Sequence, residues 1–220
     1  MISDGDRGAL SRKFGPAMRD DVTLLLFVDE GSVMSKELVE FARTIASFSP
    51  KIRVDIQKAD DGRNPKMKEL RIERGPVMVL TKSDFNRIRY FGAPLGYELP
   101  SITDAIAELS MARTPLSPKA RASLATVRRK ANIKVFVLPT CPFCPTVVRH
   151  ACRAAIESPK VTAEVIDSQA FPELAQRHSV MGVPKIVLND NMDITGAVQE
   201  AEFFEKLKDS DITLIDSMYG

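Results

Sequence analysis

Tryptophan is absent from the 220 residues, tyrosine occurs three times, histidine twice, and no apolar run approaches the length of a membrane span. Each shortage removes a class of function. With so few large aromatics and a net charge of only +2, there is neither a stacking platform nor a basic field for nucleic acid. A bilayer-crossing helix needs about 20 consecutive apolar residues, so no membrane association is expected. Cysteine is scarce as well. Three of them, an odd number, do not make a disulfide scaffold. The first residues, Met1-Ile2-Ser3-Asp4-Gly5-Asp6-Arg7, are polar and acidic where a secretion signal carries an apolar core, so a cytoplasmic protein is expected.

What is present is an ordinary globular composition, 44% apolar, in a chain long enough for one large domain or two of roughly 110 residues. The chain is organised around Pro139-Thr140-Cys141-Pro142-Phe143-Cys144-Pro145. An apolar run, Ile133 to Leu138, reads as a buried strand before it, and Thr146 to Ile156 reads as a helix after it. Two cysteines separated by two residues at a strand-to-helix junction point to a dithiol/disulfide redox centre. The helix N-terminus favours an anion, so it eases formation of the Cys141 thiolate. Cys144, one turn on, reaches the same sulfur and can resolve a mixed disulfide. Zinc would need two more ligands, and the candidates are Cys152, His150 and His178. Cys152 lies about two helical turns, roughly 12 Å, beyond Cys144, so no metal site is expected. Cys152 itself reads as a small buried hydrophobe and His150 as structural or solvated.

The order of elements repeats. A short leading helix with Leu10, Phe14 and Met18 on one face precedes the strand Val22 to Val28. Ser32 is a good N-cap for a helix through about Ser47. A half-buried strand over Ile52 to Ile56 follows, then a short helix from Lys66 to Ile72. Gly75-Pro76 opens a strand at Val77, Arg87 to Phe91 gives another, and a helix runs from Tyr97 to Met111. A linker-like stretch, Ala112 to Pro118, then leads to a helix from Lys119 to Arg129, and the same order begins again at Ile133. Phe27-Val28 recurs 109 residues later as Phe136-Val137, and Pro76 recurs 108 residues later as Pro184. The expected division is 1–115 and 116–220, two α/β domains with one shared order of elements. The first carries Ser32-Val33-Met34-Ser35 where the second carries the cysteine motif, and it has no histidine to activate a hydroxyl. It is therefore expected to be redox-inert. The tail from Ile212 to Gly220 has no assignment.

The cysteine motif together with Val180-Met181-Gly182-Val183-Pro184-Lys185-Ile186-Val187 resembles the thioredoxin superfamily. More closely, the chain resembles the protein disulfide oxidoreductases of thermophilic archaea, which are tandem glutaredoxin-like proteins. Ile2-Ser3-Asp4 and Arg89 to Glu98 add to the match, and Gly92 to Glu98 is also similar to the N-terminal redox domain of alkyl hydroperoxide reductase flavoproteins. The resemblance implies two tandem thioredoxin-like folds, each a mixed sheet flanked by helices, and cis peptide bonds before Pro184 and Pro76. It implies that Pro184 packs beside the cysteine pair and that the Val183 backbone pairs with an extended substrate peptide. Thr140, Pro142 and Phe143 complete the expected substrate-contacting set. The expected chemistry is thiol–disulfide exchange on protein disulfides or dithiols, with no cofactor beyond the Cys141–Cys144 couple. The implied partners are a thioredoxin-reductase-like flavoprotein and, in a relay reading, a peroxiredoxin. A third reading is a non-catalytic binding module or chaperone. One departure from the thioredoxin pattern matters: the place of the buried proton-accepting aspartate is taken by Val135, leaving Glu164 or water to take the proton of Cys144.

Overall fold

The computed structural model describes residues 4–60 and 63–219. The first repeat runs α1 (Asp4–Ala17), β1 (Val22–Val28), α2 (Val33–Ala46), β2 (Ile52–Lys58), α3 (Pro65–Leu70), β3 (Val77–Lys82), β4 (Phe85–Phe91) and α4 (Glu98–Met111). The second runs α5 (Pro118–Ala125), β5 (Ala131–Val137), α6 (Cys144–Glu157), β6 (Val161–Asp167), α7 (Pro172–Arg177), β7 (Lys185–Leu188), β8 (Met192–Thr195) and α8 (Glu200–Tyr219). Ile2 and Ser3, part of the family match, lie outside the described residues.

Local chemistry explains most boundaries. The Ser32 hydroxyl accepts the Ser35 N–H at 3.3 Å and starts α2, while Asn64 caps α3 ahead of Pro65. Helix α5 ends at Ala125, four residues short of the expected Arg129. Its last turn tightens as Thr126 N–H reaches the Ser123 carbonyl and Val127 N–H reaches Leu124, which folds Val127 into the core. The unassigned tail continues the backbone of α8 to Tyr219.

Each repeat supplies four strands, and the two sets join into one eight-stranded mixed sheet of order β2-β1-β3-β4-β6-β5-β7-β8. The seam is the parallel pairing of β4 with β6, from Ile88 opposite Ala163 to Phe91 opposite Ile166. Strand alternation then sorts side chains to two faces. One face carries the larger core, in which α2, α4, α6 and α8 bury Phe41, Ile102, Val148 and Phe203 against Leu24, Tyr90 and Val165. The other carries a smaller core under α3 and α7, built on Phe27, Phe91, Phe136 and Ile166. Peptide bonds Gly75-Pro76 and Val183-Pro184 are both cis.

Candidate active site

Strand β5 ends at Val137, and the chain turns through Pro139 and Thr140 before α6 begins at Cys144. The turn is fixed by the Cys141 N–H, which donates to the Leu138 carbonyl at 3.0 Å. Cys141 lies just ahead of the helix, with its Sγ accepting the Cys144 N–H at 3.3 Å. This is one of the N–H groups that a helix leaves unpaired in its first turn, and it is aimed at the sulfur that must carry negative charge. The Sγ is also 3.9 Å from the Val183 carbonyl, so the cis-proline loop closes over it. Cys141 shows a sliver of surface and Cys144 none. All three cysteines are free thiols. Burial, and then the neighbouring Cys141, push the Cys144 thiol far above its ordinary range. One sulfur is reachable and one is held protonated behind it.

The expected substrate-contacting residues come together around that mouth. Thr140, Pro142 and Phe143 are exposed, Val183 is half-buried and Pro184 is buried against the motif. Two more side chains join them, neither of which carried a substrate role in the sequence reading. Phe143 is 65% exposed, Met181 95% and Tyr97 54%, three of the five large apolar side chains the described surface leaves open. Tyr97 arrives from the first repeat, its N–H donating to the Pro139 carbonyl at 2.9 Å.

The proton acceptor is a correction. Glu164 faces the other side of the sheet, where it pairs with Arg89 at 2.9 Å and accepts from Asn132. Side chains of β6 alternate between the two faces, and Ala163 and Val165 take the α6 side, so Glu164 points away from it. The acid on the cysteine side is Glu98, the first residue of α4, fully buried. Its charge acts on Cys144, Cys152 and Tyr90. Burial lifts its carboxyl to about 7, against the pull of the Ser101 hydroxyl and the Arg149 charge. Ser101 donates to Oε2 at 2.6 Å, and Oε1 has no partner. A buried acid opening an otherwise apolar stretch, Glu98-Leu99 with Ile102 and Ile106 behind, was the signal available in the sequence.

The remaining candidates are structural. Cys152 is buried in the core, where desolvation raises its thiol as it does that of Cys144. The His150 ring stands 5.5 Å from Phe203 between α6 and α8, and burial lowers its pKa. In the first repeat the Ser35 hydroxyl accepts the Asp29 N–H at 2.9 Å, so Ser32 and Ser35 are spent on the turn and cap they occupy. Among the described residues no cluster of three or more metal-ligating side chains occurs. No described helix is long and apolar enough to cross a membrane.

Comparison with known proteins agrees with this geometry. Residues 131–209 match the thioredoxin domain family. The chain is 37% identical over 79 residues to a probable thioredoxin of Methanothermobacter thermautotrophicus, covering 93% of that protein. The N-terminal domain of the alkylhydroperoxide reductase flavoprotein component from Enterococcus faecalis superposes with a TM-score of 0.86 at 31% identity, over 94% of this chain and 100% of that one. A protein disulfide oxidoreductase from Aeropyrum pernix shares the fold, with a TM-score of 0.84 at 21% identity, over 97% of this chain and 95% of that one. The chain spans only about a third of the curated full-length relatives it matches, 38% of a Bacillus subtilis NADH dehydrogenase and 32% of the F component of Xanthomonas campestris alkyl hydroperoxide reductase. The chain therefore belongs to the thioredoxin-like family that includes the tandem N-terminal domain of the alkyl hydroperoxide reductase F component.

Proposed function

We propose that the protein carries out thiol–disulfide exchange on protein disulfides through Cys141 and Cys144. The observation that carries this reading is the sulfur of Cys141, held at the mouth by the Cys144 N–H and the cis-proline loop, with a second, fully buried thiol behind it. The Cys141 thiolate attacks one sulfur of the client disulfide; a Cys141–client disulfide forms, and the other client sulfur leaves as thiolate and is protonated by solvent. Cys144 then gives its proton to the Glu98 carboxylate and attacks the sulfur of Cys141. The Cys141–Cys144 bond forms, the client's second thiolate leaves, and two electrons have passed from dithiol to client. A proton acceptor is needed because the Cys144 thiol, desolvated in its buried place, does not ionise unaided near neutral pH. Phe143, Met181 and Tyr97 offer apolar contact to the client, and the Val183 backbone offers strand-like pairing.

Cys141→Ser is expected to abolish disulfide reduction, and Cys144→Ser to trap clients as mixed disulfides that a non-reducing gel resolves. Full activity in Cys141→Ser would sink the assignment and leave the binding-module reading in its place. A relay reading is favoured by the 31% identity to a domain of an alkylhydroperoxide reductase. In that reading a flavoprotein reduces the Cys141–Cys144 disulfide and a peroxiredoxin accepts the electrons. It requires a reduction potential near that of thioredoxin, about −270 mV, rather than the about −120 mV of a disulfide-donating oxidant. Equilibration against defined thiol buffers measures it.

A further inference from the structure

Parallel strands at the centre of a sheet are ordinarily covered on both faces. Here β4, β6 and β5 are mutually parallel and central, yet on the face away from α4 and α6 only α3 and α7 cover them, and only at one end. The register lays three rows across the strands. Phe91–Ile166–Phe136 lies under the covering helices; next comes Arg89–Glu164–Lys134, and beyond it Arg87 and Asn132 flank Thr162. The open part is a groove of about 890 Å³, the roomiest of the described cavities. Eight lysines and arginines line it against three aspartates and glutamates, although the whole chain carries only two more cations than acids. The positive charge of the molecule is concentrated on this one face.

The cations differ in what they are free to do. Arg89 pairs with Glu164 and Lys134 with Asp190, which holds the floor. Arg71, Lys130 and Arg177 stand exposed on the rim and make no ion pair among the described residues. Two buried floor atoms, Arg89 Nε and Asn132 Oδ1, have no hydrogen-bond partner, which is rare for polar groups out of water. Three strands spaced about 4.8 Å apart make a floor about 10 Å wide, the diameter of an α-helix with its side chains. The seven residues of β6 span about 23 Å at about 3.3 Å each, the length of a helix of about 15 residues.

We propose that this groove binds an acidic helical segment of a partner protein. Its carboxylates would meet Arg71, Lys130 and Arg177, and an apolar residue at one end would seat on Leu174 and Ile72, at the edge of the row of Phe91 and Ile166. A nucleic acid fits less well, because no tryptophan or tyrosine lines the groove for a base to stack on and the floor itself carries Glu164. The groove lies on the opposite sheet face from Cys141, so the segment docks without blocking the thiol. Its lining also includes Arg177 and His178, which lead directly into the Val183-Pro184 loop.

The test uses the full chain and a fluorescein-labelled 15-residue synthetic helix rich in glutamate with leucines at one end, followed by fluorescence anisotropy. The expected result is saturable binding at about 50 mM salt that weakens at least about tenfold by about 300 mM. The triple variant Arg71→Glu, Lys130→Glu, Arg177→Glu, whose sites are all exposed and whose fold circular dichroism checks, is expected to lose at least about tenfold in affinity. A glutamine-for-glutamate version of the peptide should bind equally poorly to both proteins. The proposal is overturned if the triple variant binds as well as the unmodified chain, or if the glutamate peptide fails to bind at low salt. It is also overturned if single-stranded DNA or inorganic triphosphate displaces the peptide at lower concentration than unlabelled peptide does.

Discussion

Glu98 illustrates how a single side chain ties the two repeats into one chemistry. It comes from the first repeat, yet its charge is felt by Cys144 of the second, and its carboxyl sits near 7 because burial disfavours the anion. The sign for stability follows. In the unfolded chain the carboxyl loses its proton near 4.5, but in the folded chain it keeps it until about 7, so the native state binds more protons across that window. Stability therefore falls as pH rises from about 4.5 to about 7, by about 3 kcal/mol at about 1.4 kcal/mol per pH unit. Glu98→Gln keeps the shape and removes the titration. Urea unfolding at about pH 5 and about pH 8 should show the variant gaining about 3 kcal/mol on the parent between the two; a constant difference would mean that Glu98 is not the buried acid described. The same variant should slow release of a Cys144-resolved mixed disulfide at about pH 7.5 while leaving the first attack by Cys141 near its original rate. The cysteine pair was legible in the sequence because its spacing alone specifies its geometry. Glu98 was not, since it lies 46 residues before Cys144 and only the packing of α4 on α6 brings them together.

At the scale of elements, the loop Gly92 to Tyr97 holds the first repeat against the cysteine turn. Gly96 has φ +58, and a Cβ there would lie 2.4 Å from the Pro139 carbonyl oxygen, well inside contact distance. The adjoining Tyr97 N–H uses that same carbonyl as its acceptor. Gly96 is glycine for two independent reasons, a left-handed backbone and a backbone neighbour that cannot step aside. Gly96→Ala is expected to cost more than about 1 kcal/mol and to slow reduction of a protein disulfide, because Pro139 must shift and Cys141 is two residues away. A circular dichroism melt alongside single-turnover client reduction would test both; an unchanged rate would detach this loop from the site. The strands around the loop were readable from apolar runs and proline punctuation, and β1 fell at Val22–Val28 as expected. The end of α5 and the extension of α8 were not, because a helix boundary there depends on which carbonyl the last N–H groups find.

At the scale of the whole molecule, the repeat was visible in the spacing of Phe27 and Phe136, but the union of its copies was not. Nothing in either copy says that β4 will pair with β6, since an edge strand looks the same in sequence whether or not it finds a partner. Across the same seam α4 packs on α6, and its acids meet that helix's arginines: Asp104 with Arg149 at 2.7 Å, and Glu108 with Arg153 through three contacts of 2.7 to 3.1 Å. The second pair is the more buried, with side-chain exposures of 10% for Glu108 and 17% for Arg153. Burial raises the Glu108 carboxyl even with the arginine beside it, so the pair does not repay its desolvation in full. Breaking such a pair from one side should therefore cost far more than removing it. Arg153→Met leaves a buried carboxylate unpartnered and is expected to destabilise by about 3 to 5 kcal/mol, whereas Arg153→Met with Glu108→Leu should recover most of that loss. Because the sheet and this helix pair both cross the seam, the loss should appear in one cooperative transition, with tyrosine fluorescence and far-ultraviolet circular dichroism coinciding in urea. Two separated transitions, with only the second repeat weakened, would show instead that the copies fold as independent units and that the shared sheet contributes little to holding them together.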